Sequence, residues 1–102
     1  MTKQIALTRN ADLVLHIFAD LEAIKTQTTL GKNQVYLFIR AVKQLDSDDY
    51  AALGKSIAIE SGLIATEDTY ETLEKLGRDW TLKKSEAFLV ALKSNIPNNS
   101  IN

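Results

Sequence analysis

The chain has 102 residues, of which 45% are hydrophobic and 25% charged, with a net charge of −1 and no cysteine. That length suits one domain whose core needs neither metal nor disulfide, and the lack of thiols excludes a disulfide framework, thiolate zinc sites and thiol catalysis. No apolar run approaches a membrane span, and MTKQIALTRN holds too short an apolar run for a secretory signal, so a cytoplasmic protein without a membrane partner is expected.

Residues 1–9 read as an ordered but irregular arm, with Ile5 and Leu7 alternating with Gln4, Ala6 and Thr8. The first helix is expected to begin after Asn10, whose side chain can accept from the free amides of a first turn. Leu13, Val14, Ile17, Phe18, Leu21 and Ile24 mark one face of it through about Lys25. The run Thr26–Thr29, followed by Gly31, reads as its stop.

Asn33–Leu45 carries the strongest helical pattern, and the other stripes need it as a partner. Val35, Phe38, Val42 and Leu45 recur at steps of three and four, with Leu37, Ile39 and Ala41 widening the stripe. Asp46 or Ser47 then caps a third helix running to about Ser61, and Asp48 and Asp49 favour its positive end. Tyr50, Leu53, Ile57 and Ala58 should point inward. Gly54 inside that pattern implies close approach of a neighbouring helix, expected to be the second. Gly62 fits a left-handed terminator.

Leu63-Ile64-Ala65 reads as an apolar link. Thr66 is placed to cap a fourth helix with Glu67 and Asp68 in its first turn, Tyr70, Leu73 and Leu76 inward, and Gly77 as its end. Arg78-Asp79-Trp80 would form a corner. From Thr81 to Asn95 a fifth helix is favoured, with Leu82, Phe88, Leu89, Leu92 and Ile96 as its stripe; a hairpin of Trp80–Leu82 and Ala87–Leu92 is the other reading. Pro97 ends regular structure and the rest is a tail. The expectation is a compact all-α domain of about five short helices over 10–96, between the arm and the tail at 97–102.

The lone histidine, His16, stacks with Asp12 and Asp20 at four-residue spacing on one helix face. A metal or base role needs a further group that the sequence does not identify, so a solvated face is the simpler reading. No glycine-rich phosphate loop and no Ser–His–carboxylate arrangement can be placed, and Asp46, Asp48 and Asp49 lack the glycine and distal glutamate of a calcium loop. No catalytic, cofactor or metal residue is assigned.

Charge is unevenly spread. Residues 1–45 hold six bases and three acids, residues 46–79 three bases and nine acids, and residues 80–102 three bases and one acid. An acidic middle between basic ends can attract a basic partner or a second copy. The sequence therefore favours a small non-catalytic helical protein that binds another protein, as an adaptor, inhibitor, immunity-type protein or assembly subunit. Tyr36, Trp80, Glu67, Glu71 and Glu74 are the candidate contact residues. Tyr36 and Trp80 are aromatic residues that fit no stripe, and Trp80 can equally lie as a lid over the core edge.

The alternative is a DNA-binding regulator of plasmid or phage type, with a helix-turn-helix-like unit at 50–76. Its reading helix, Glu67–Leu76, carries four acids against one lysine, which opposes phosphate contact. A hairpin wing presenting Lys83 and Lys84, or a basic face of Lys32, Arg40 and Lys43 with Asn33 and Gln44 nearby, would have to supply the charge.

Overall fold

The computed structural model describes residues 5–26, 28–62 and 69–95. Among them are four helices and no strand: α1 (Arg9–Ile24), α2 (Thr29–Lys43), α3 (Ser47–Glu60) and α4 (Tyr70–Asn95). The all-α domain expected from the sequence is present, with four helices in place of five. The expected cap at Thr66, the link Leu63–Ala65 and the tail lie outside the described residues.

Each helix start has a side chain that meets the unpaired amides of its first turn. For α1 it is Thr8, in extended backbone, whose hydroxyl accepts from Ala11 N at 3.2 Å. Asn10, the expected cap, instead lies within the first turn and donates through Nδ2 to Asp49 Oδ2 on α3 at 3.2 Å. For α2 it is Thr28, accepting from Gly31 N at 2.8 Å, so this helix begins before Asn33. Gly31 is buried inside α2 and does not act as a stop for α1. A Cβ on it would sit 2.8 Å from Thr26 Cα and strike the Lys25 carbonyl. Lys25 itself ends α1 at φ 64° and ψ 140°, a region that side-chain-bearing residues rarely occupy.

Asp46 caps α3 as a full capping box. Its Oδ1 accepts from Asp49 N at 2.9 Å, and Asp49 Oδ2 accepts from Asp46 N at 3.0 Å. Thr69 accepts from Thr72 N at 3.2 Å and so caps α4.

α4 is one continuous helix of 26 residues, about 39 Å long at 1.5 Å per residue. The expected corner at Arg78–Trp80 and the hairpin alternative are both absent, because Gly77 is not a terminator. It faces Gly54 of α3 in a seam where backbone meets backbone. A Cβ on Gly54 would lie 2.8 Å from the Leu73 carbonyl carbon, and one on Gly77 would lie 3.2 Å from Gly54 N. The helix that Gly54 admits is therefore α4, not α2. A helical glycine costs about 1 kcal/mol relative to alanine, and here the close packing of two backbones offsets it. Arg78 donates to Glu74 Oε2 at 2.7 Å across the glycine, and buried Thr81 donates to Arg78 O at 2.9 Å.

The helices close a ring in which α1 neighbours α2, α2 neighbours α4, α4 neighbours α3 and α3 neighbours α1. Two helical hairpins, α1–α2 and α3–α4, thus pack face to face. Val14, Val35, Phe38 and Leu53 are fully buried at the centre. Phe18, Phe38, Trp80 and Phe88 form a ring cluster there, with Phe18 and Trp80 centroids 4.8 Å apart and Phe38 and Phe88 5.3 Å apart, both edge to face. The N-terminal arm is irregular over its described part and is held by Lys55 Nζ, which donates to Ile5 O at 3.0 Å.

Candidate functional site

The structure separates the candidate residues into several places. Tyr36 projects from the outer face of α2 and is 54% exposed. Lys32 lies one turn before it and Arg40 one turn after, with Lys43 three residues further, all exposed. Trp80 belongs to the ring cluster and is half-buried against Phe18 and Phe38.

The acidic edge runs from the start of α3 to the start of α4. Tyr70 donates its hydroxyl to Asp48 Oδ1, and this bond, with partial burial, pushes the phenol up to about 12. Arg78 holds Glu74 below the usual carboxylate range, and its guanidinium also lies 4.3 Å over the Tyr50 ring. Burial pushes the Asp49 carboxyl up, but hydrogen bonds from Thr8, Asp46 and Asn10 outweigh it and leave it lowered. Glu71 is exposed; Glu67 lies outside the described residues.

Lys83 and Lys84 lie within α4 and form no hairpin tip. Lys84 Nζ sits 5.4 Å over the Phe18 ring. In the stretch expected to hold a helix-turn-helix, residues 63–68 lie outside the described residues, and residues 70–76 are the first turns of a rod that continues to Asn95. His16 is exposed, with Nδ1 2.9 Å from Asp12 O and 3.3 Å from Asp12 Oδ1. The Asp12 backbone carbonyl, then the Asp12 and Asp20 charges, raise its pKa. No group of three metal-ligating side chains comes together among the described residues, and no described helix is long and apolar enough to cross a membrane.

One surface was not anticipated. The continuous α4 takes its phase from Leu73, Gly77, Thr81, Phe88 and Leu92, which turns Leu82 and Leu89 outward, against the expected stripe. Leu82 is 60% exposed, Val90 62% and Leu89 38%. Leu82, Glu86, Leu89 and Lys93 follow at steps of four, three and four along this outer face. The signal lay in Gly77 and Thr81, a small and a polar residue at inward positions.

No family model, no curated protein and no solved structure matches this chain.

Proposed function

We propose that this protein works without catalysis, as a cytoplasmic helical module that binds another protein through the outer face of α4. The observation carrying this reading is the exposure of Leu82, Leu89 and Val90 on one side of a single rigid rod. Apolar side chains gathered on one face of a soluble domain mark interaction sites more often than isolated exposed ones do. A helix offering anchors at i, i+7 and i+8 matches the spacing by which amphipathic helices engage a groove or a second helix. Glu86 and Lys93 beside these anchors would provide a polar rim.

The test is a double variant, Leu82→Glu with Val90→Glu. Both positions are exposed, so melting should change little. Affinity purification from the native host, quantified by mass spectrometry, should lose one defined partner that the unaltered protein retains. An identical partner set in both would refute the reading. A fall from dimer to monomer by light scattering would identify the partner as a second copy.

A further inference from the structure

The outer face of α2 carries a different kind of surface, independent of the outer face of α4. α2 contains no acidic residue. Lys32, Tyr36 and Arg40 stand one turn apart on its solvent side, and Lys43 extends the row. From Lys32 to Lys43 the row is about 16 Å long at 1.5 Å per residue. Among the described residues these three bases form no ion pair, whereas Arg78 is paired with Glu74 and Lys84 is placed over Phe18.

The acids that follow Lys43 in the sequence are already engaged. Asp46 and Asp49 close on each other in the capping box, Asp49 also holds Asn10, and Asp48 accepts from Tyr70. The basic row therefore keeps its charge in a chain whose net charge is −1. Charge on the contact face, not the total, decides attraction to a polyanion.

We propose that this face binds single-stranded nucleic acid. Lys32, Arg40 and Lys43 contact backbone phosphates, and Tyr36 supplies a ring on which an unpaired base stacks. An acidic polypeptide would also satisfy the three bases, but it gives no use to an exposed ring set between them. A base has a π-face, and an aromatic residue within a basic groove is the recurrent platform for single strands. Asn33, on the neighbouring strip of α2, and Gln44, just past its end, have amides able to meet base edges. A duplex hides its bases from the ring, so single strands should bind more tightly.

The experiment is fluorescence anisotropy of a labelled twelve-nucleotide single strand of mixed sequence, as DNA and as RNA, with the corresponding duplex and polyglutamate as comparisons. Three phosphate contacts predict a log–log salt slope of about −2, or about fifteen-fold weaker binding between 50 and 200 mM salt. Tyr36→Leu should weaken binding about tenfold or more, and Tyr36→Phe should leave it unchanged. Arg40→Glu should abolish it. All these positions are exposed, so circular dichroism and melting should match the unaltered chain. Absence of binding at 50 mM salt overturns the proposal. So does a Tyr36→Leu variant that binds normally, a duplex that binds as well as the single strand, or polyglutamate that competes as well as nucleic acid.

Discussion

Lys25 shows how a single residue can carry a cost imposed by its neighbours. Its φ of 64° with ψ of 140° turns the chain from α1 into α2, and Thr28 Oγ1 donates to its carbonyl at 3.3 Å. Residues with side chains held in such regions store about 1–3 kcal/mol of strain, whereas glycine enters them freely. Lys25→Gly should therefore stabilise the fold by about 1 kcal/mol after the added freedom of the unfolded chain is counted. Thermal melting checks it, and an unchanged or lower Tm would show the turn to be relaxed. At this scale the sequence was partly legible. The cap of α3 was narrowed to Asp46 or Ser47, both of a type that accepts from first-turn amides, and Asp46 is the one that does so. Thr8 was missed, since the better capping residue Asn10 stood two positions later and was drawn away by a carboxylate on another helix.

The glycines decide where the helices end and where they meet. Three helices were readable because each has its own stripe at three- and four-residue steps; Val35 and Phe38 are buried as that pattern implies, whereas Leu13 and Leu37, counted in the stripes, are exposed at their edges. α4 was read as two elements because glycine has two meanings, helix end or close contact, and the local sequence does not choose between them. The choice is made by Gly54, on another helix. In an open helix Gly77→Ala would stabilise by about 1 kcal/mol. Here the added carbon meets the Tyr50 carbonyl and Gly54 N, so the same substitution should destabilise by about 2 kcal/mol or more. Denaturant unfolding gives the sign directly; a stabilised Gly77→Ala variant would mean that the seam is not closed. The same misreading hid the outer face of α4, since breaking the helix at Gly77 released Leu82 and Leu89 to be counted with the core.

For the whole molecule, the aromatic cluster gives Trp80 a packing role between the two hairpins. Its ring contacts reach α1 through Phe18 and α2 through Phe38. Removing a large aromatic from a core costs about 3–5 kcal/mol when fully buried, so half-buried Trp80→Ala should cost about 2–4 kcal/mol. For a chain of this size that lowers Tm by roughly 10 °C or more. Tyr36→Ala, at an exposed position, should stay within about 0.5 kcal/mol. Equal effects of the two substitutions would contradict the packing described. The basic row on α2 was legible residue by residue, but the engagement of the acids that follow it was not, because Asp49 meets Asn10 and Asp48 meets Tyr70 only when α1, α3 and α4 are assembled.

The position of that indole has a practical consequence. Trp80 is the sole tryptophan in the chain, and it is carried by one hairpin while its ring neighbours Phe18 and Phe38 belong to the other. Its emission will therefore be insensitive to winding of the individual rods and will change when the two halves meet. In a stopped-flow refolding experiment, helix content followed in the far ultraviolet and the fluorescence of this residue would time two separate events, giving the molecule an internal clock for docking that needs no label.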